Sequence, residues 1–125
     1  MTQVAARTAG GAILLDGVQL RDETVAKIKA KINQAGNPKI CLATVLVGDD
    51  APSHIYVKSK HQKAQEAGMT SKGVNLPENS TQAQVEQAVA TLVADKQVHG
   101  ILVQLPLPKH IDTEAVLSLL PVEKD

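Results

Sequence analysis

The run Lys39-Ile-Cys-Leu-Ala-Thr-Val-Leu-Val47, followed at once by Gly48-Asp49-Asp50-Ala51-Pro52, sets the architecture of this chain. After its first residue the run is apolar and rich in β-branched side chains and shows no in/out alternation, as expected of a strand covered on both faces of a parallel sheet. Gly48 breaks it. Asp49 or Asp50 can then cap the free amides of a helix, and Pro52 suits that helix's first turn, where its missing N–H would go unbonded anyway. Strand, tight turn and helix in direct succession are the beginning of an α/β unit.

Working outward from there, the spacing predicts a helix from Pro52 to about Gly68 and a short strand over Lys72 to Leu76. After a loop at residues 77–80, Thr81 with Gln84 three positions on reads as a capping box opening a helix whose apolar face is Val85, Ala88, Val89 and Leu92. A strand over His99 to Val103, the proline-broken Gln104-Leu-Pro-Leu-Pro108 and a last helix from Asp112 to Leu120 complete the order. Upstream, a strand-like Ala12-Ile-Leu-Leu15 and an Asp16-Gly17 turn lead into an amphipathic helix over Val18 to Ala35, carried by Val25, Ile28 and Ile32 and ended by Gly36 and Pro38. Residues 1–11, closing on Gly10 and Gly11, read as a flexible tail, and residues 12–125 as the domain proper. Strand and helix thus alternate four times without a hairpin signal. The expected fold class is α/β, a mostly parallel sheet with helices on both faces in three layers. Ligands of such sheets bind beyond the carboxyl ends of the strands, which selects Gly48 to Ser53, the segment after Leu76, and Gln104 to Pro108.

With 125 residues the chain is long enough for a single core, and with one aromatic residue, Tyr56, that core is aliphatic. Thirteen basic and thirteen acidic side chains cancel, so the broad positive field of a nucleic-acid binder is lacking. No apolar run approaches the ~18 residues of a membrane span, and the first eleven lack the apolar middle of a signal peptide. Cys41, the single cysteine, excludes an internal disulfide; it reads as a buried, inert thiol in a reducing cytoplasm. The four histidines, His54, His61, His99 and His110, show no ligand spacing with Cys41 or the carboxylates, so no metal is expected.

Chemistry is suggested by Tyr56 and Lys60, which share one face of a helix at a spacing of four. Ser53 and Lys63 fall on that face too, while Val57, Ala64 and Ala67 form a thin apolar stripe elsewhere. Spacing alone leaves two readings open: a solvated face with the tyrosine lying flat on it, or a flat apolar surface set beside a proton carrier. A lysine works as a base near neutral pH only if desolvation or a neighbouring cation makes its ammonium easier to deprotonate. Lys58 and Lys63 are possible neighbours, and Gln104, leaving the strand that ends at Val103, is a neutral amide that could hold the lysine nitrogen; alone, Gln104 is equally a loop hydrogen-bonder. Tyr-x-x-x-Lys is also the spacing of short-chain dehydrogenases, but these need a glycine-rich turn after the first strand. Here that turn is Asp16-Gly17-Val18.

Three segments taken together resemble the amino-terminal domain of the bifunctional methylenetetrahydrofolate dehydrogenase/methenyltetrahydrofolate cyclohydrolase family. They are Val47-Gly-Asp-Asp-Ala-Pro-Ser-His-Ile-Tyr-Val-Lys-Ser-Lys60, Val98-His-Gly-Ile-Leu-Val-Gln-Leu-Pro-Leu-Pro108 and Pro121-Val-Glu-Lys-Asp125. The resemblance implies that Tyr56 stacks on the folate ring system, that Lys60 is the central acid/base group, and that Gln104 positions it. Ser53, Val103, Leu105 and Pro106 would help line the substrate pocket. It further implies oxidation of 5,10-methylenetetrahydrofolate with NADP, hydrolysis of the methenyl product to 10-formyltetrahydrofolate, a place in cytoplasmic one-carbon metabolism and a homodimer. The family's chain continues past Lys124-Asp125 into an NAD(P)-binding Rossmann domain, so this chain is expected to be a piece of a longer protein, weak or inactive by itself. A non-catalytic α/β interaction domain, docking a partner through an exposed aliphatic surface, is the competing expectation.

Overall fold

The computed structural model describes residues 5–125. Its element order is α1 (Gly17–Gln34), β1 (Cys41–Val47), α2 (Ala51–Glu66), β2 (Thr70–Leu76), α3 (Gln82–Ala94), β3 (Gly100–Val103) and α4 (Thr113–Leu117). The three strands form one parallel sheet in the order β2-β1-β3. The central position of β1 explains its unbroken apolar composition, for its last five residues are buried without alternation. Its odd-numbered residues Ala43, Val45 and Val47 join Val85, Val89 and Leu92 of α3, Ile101 and Val103 of β3, and Val116 of α4 in one aliphatic core. α2 packs against the sheet through β1 and β2, and α1 rests on α2. Three layers result.

Helix ends follow the local chemistry. Asp16, Asp50, Thr81 and Asp112 each accept a hydrogen bond from the amide three residues on, and Thr81 with Gln84 closes the expected capping box. Both α1 and α2 stop at a glycine of positive φ, Gly36 at 86° and Gly68 at 91°. There Asn37 N donates to Ile32 O and Met69 N to Ala64 O, the six-residue closure that satisfies orphan carbonyls. The end of α3 is held differently: the Lys124 ammonium donates to the carbonyls of Val93 (2.8 Å), Asp95 (2.7 Å) and, at longer range, Leu92 (3.4 Å). A cation at a helix C-terminus also suits the macrodipole.

Three expectations need correction. Ala12 to Leu15 is not a strand of the sheet. Ile13 makes a single antiparallel bridge to Arg7, and Leu14 N donates to Ala6 O at 2.9 Å. The run is too short to reach the core, and Leu15 is 95% exposed; its pairing is with the segment before it, across Gly10 and Gly11. Ala6 to Leu14 therefore form a small hairpin where the sequence showed no hairpin signal, so strand and helix alternate three times rather than four. The first four residues of the expected tail lie outside the described residues. Cys41, expected to be buried, is only partly so, because it opens β1 at the amino edge of the sheet. The last helix is also shorter than Asp112 to Leu120, its final residues continuing as turns.

Candidate functional site

β1 and β2 end together, with Gly48 N donating to Leu76 O at 2.9 Å, and β3 ends beside β1, with Gln104 N donating to Val45 O at 2.9 Å. The three segments selected by the strand-end rule are thereby gathered at one edge of the sheet. Gly48 has φ of 94°, and a Cβ there would collide with the Glu78 carboxylate that lies over it. A side chain here would force the Glu78 carboxylate to swing aside, and the positive φ is itself the conformation that favours glycine. The turn delivers Asp50, whose carboxylate accepts from the Ser53 hydroxyl (2.6 Å) and the Ser53 amide (3.1 Å). These two bonds, the hydroxyl one first, hold the Asp50 carboxyl below the usual carboxylate range. A group so depressed stabilises the fold above its unfolded-state value and loses that contribution as pH falls through its folded value. Asp50→Asn is therefore expected to flatten the acid side of a plot of Tm against pH, below about pH 4; an unchanged acid limb would show the cap to be idle.

α2 carries Lys60 to β3's end. Its Nζ donates to Gln104 Oε1 at 2.7 Å, across 44 residues of sequence. Gln104 is buried, at 8% exposure, and its Nε2 donates to Leu105 O at 3.0 Å, which fixes the amide with its oxygen toward the lysine. The Leu105-Pro106 peptide bond is cis, and Leu105 and Pro106 both face solvent while Leu107 and Pro108 turn inward. Tyr56, one helical turn before Lys60, is 57% exposed. Among the described residues its hydroxyl has no polar partner, and Ile55 beside it is exposed as well.

Lys60, Gln104, Leu105, Pro106 and Tyr56 thus share the carboxyl edge. Ser53 does not lie on the free face expected for it. It is 1% exposed, because its position on α2 is closer in angle to Val57 than to the solvent side, and its hydroxyl belongs to the Asp50 cap. Val103 sends its side chain into the core and reaches the edge only as the end of β3. Lys63 is bonded to Glu66 at 2.8 Å, so it is not the free cation that could have been a neighbour of Lys60.

Sequence reasoning missed the contact between Thr44 Oγ1 and His61 Nε2, at 2.7 Å, and the bond from His54 Nε2 to Gly48 O, at 3.2 Å. A polar residue inside the apolar run of β1 was the one available signal for the first. Two hollows adjoin these elements. One of about 210 Å³ lies behind Lys60 among Val25, Ile28, Leu42 and Met69. The other, about 360 Å³, opens at the opposite, amino edge between Cys41, Lys72, Asp95 and His99. Among the described residues no cluster of His, Cys, Asp or Glu could hold a metal ion, and no helix is long and apolar enough to cross a membrane.

Comparison with known proteins adds a family. The model of the tetrahydrofolate dehydrogenase/cyclohydrolase catalytic domain matches residues 15–125. The bifunctional protein FolD of Bartonella quintana is 43% identical over 115 residues, covering 90% of this chain and 38% of that protein. Among solved structures, the bifunctional FolD methylenetetrahydrofolate dehydrogenase/cyclohydrolase of Campylobacter jejuni superposes with a TM-score of 0.84 at 41% identity, covering 89% of this chain and 40% of the other. That of the Trypanosoma brucei methylenetetrahydrofolate dehydrogenase-cyclohydrolase, complexed with NADP cofactor and inhibitor, gives 0.84 at 32% identity over 91% of this chain and 40% of the other. The chain spans about 40% of the length of these relatives.

Proposed function

Because the chain belongs to the tetrahydrofolate dehydrogenase/cyclohydrolase family, through its catalytic domain, we propose that its carboxyl edge binds reduced folates and carries out the proton transfers of methenyltetrahydrofolate hydrolysis. The observation that carries this reading is the 2.7 Å bond from Lys60 Nζ to Gln104 Oε1. A carboxylate in place of that amide would pair with the ammonium and hold its proton; a neutral oxygen orients the nitrogen without adding charge. Lys60 can then take a proton from the water that adds to the methenyl carbon, between N5 and N10. It returns that proton to N5 as the N5–carbon bond breaks, while the proton of the added hydroxyl leaves to solvent and its oxygen becomes the carbonyl of the formyl group on N10.

The exposed ring of Tyr56 is a platform for the planar, cationic substrate one turn from that nitrogen. Leu105 and Pro106, exposed just after Gln104, supply an apolar surface at the same edge. Tyr56→Ala is expected to weaken binding of a folate analogue by about 1 kcal/mol or more, read by calorimetric titration; equal affinity would remove the platform from the mechanism.

We assign NADP, with which the Trypanosoma brucei relative is complexed, to the oxidation step of the family's longer proteins. The described residues do not fit it. The strand-to-helix turn after β1 carries Asp49 and Asp50, and Asp50 already caps α2, so this turn offers a pyrophosphate carboxylates rather than free amides. No hydride step is derived from this chain. A second reading, an interaction module, is favoured by the exposure of Leu15, Val18 and Leu20 beside one another in sequence. Association that is independent of folate, seen by light scattering, would support it.

A further inference from the structure

We propose that His61 is a positioning residue for Lys60: its bond to Thr44 sets the rotation of α2 over the sheet and thereby aims the lysine at Gln104. The inference deepens the reading of the site given above and rests on it only for the choice of ligand in the test.

Beyond its first turn, where Ser53 bonds Asp50 and His54 bonds Gly48 O, apolar packing does little to fix the roll of α2. The side chains it buries are Ser53, Val57 and Ala64, with Ala67 at its end, small groups that form shallow ridges and interlock weakly. Behind Lys60 lies the apolar hollow of about 210 Å³ on the α1 side, so packing there leaves the helix room to turn. His61 supplies a constraint further along the helix, next to Lys60. Successive helix positions point about 100° apart, so Lys60 reaches toward the end of β3 while His61 reaches over β1 and β2. The Thr44 hydroxyl that meets its Nε2 at 2.7 Å belongs to a residue 1% exposed, and losing the partner would leave that hydroxyl buried and unsatisfied. Gly73, paired with Thr44 across the sheet, gives the imidazole its seat: a Cβ there would stand 3.5 Å from His61 Cε1, in contact with the ring. Two polar tethers on adjacent residues, one to β1 itself and one to the end of β3, therefore set the helix's angle at Lys60. Removing one frees the other to drift, and misplacement by about 1 Å is enough to matter at a reacting centre.

The test uses the full chain, with the 15Nζ resonance of Lys60, assigned by its loss in Lys60→Met, as one readout and the affinity for 5-formyltetrahydrofolate as the other. His61→Leu and Thr44→Val are expected to move the resonance to that of a solvent-exposed lysine and to weaken the probe about tenfold, in the range of residues coupled through a shared contact. His61→Gln, which can still bond Thr44, is expected to restore affinity to within about twofold, a rescue that a purely structural role would not require. An unmoved resonance and unchanged affinity in folded His61→Leu would overturn the proposal. Should Thr44→Val fail to fold, His61→Leu decides alone, since His61 is only partly buried. If the unmodified chain does not bind the probe, the folate reading fails, and the Lys60 resonance still settles the role of His61.

Discussion

Replacing Lys60 with methionine is expected to lower methenyltetrahydrofolate hydrolysis by about 10²–10⁴-fold, the usual worth of a positioned acid/base group. Methionine keeps the length and apolar stem of the side chain, so the floor above the hollow among Val25, Ile28 and Leu42 stays filled. What is lost is the nitrogen and its bond to Gln104. Since Gln104 is buried, its oxygen is left without its donor, a structural cost of roughly 1–3 kcal/mol that a melting curve will reveal separately from the loss of turnover. Following the decay of methenyl absorbance at matched folded fraction separates the two. Turnover within a factor of about three of the unaltered protein, well short of the acid/base range, would remove Lys60 from the proton path.

The largest effect on stability is expected at Leu92. It is 1% exposed and belongs to the aliphatic core with Val85, Val89, Ala43, Val45 and Val98. Leucine-to-alanine changes in cores cost about 2–5 kcal/mol, depending on how far neighbours can relax into the space. Here most neighbours are valines, whose branched Cβ restricts χ1, and the core has no Phe or Trp to swing into the void. Leu92→Ala should therefore fall in the upper half of that range, about 4 kcal/mol, measured as a lower urea midpoint with unchanged slope. A loss below about 1 kcal/mol would mean that the core collapses more freely than its valines allow.

The α/β architecture was legible because β1 advertises its central place twice, in the absence of alternation from Cys41 to Val47 and in the capping residues that follow. The capping box of α3 was equally plain, since both partners lie within four residues. Ala12 to Leu15 misled for the opposite reason: four apolar residues carry no information about whether a sheet edge is within reach. At the site, Tyr56 and Lys60 are local and could be paired by helical spacing. Gln104 came forward through its place at a strand end. The role of Ser53 depended on the roll of α2, which helical periodicity fixes only to within the width of a face, and His61 with Thr44 is a contact between distant segments that no local pattern encodes. Lys124 entered only as part of a quoted segment, and nothing local marked its contact with the end of α3, which exists only once the chain has turned back.

That returning segment also bears on solubility. Besides Lys124's hold on α3, its carbonyl accepts from Ile101 N at 2.8 Å, so one position on the rim of β3, an outermost strand of the sheet, is already taken by the protein's own backbone. An open rim is a template on which other chains can add strands; here the segment Pro121 to Asp125 acts as a gatekeeper at Ile101, and loosening it would bare that amide to incoming strands.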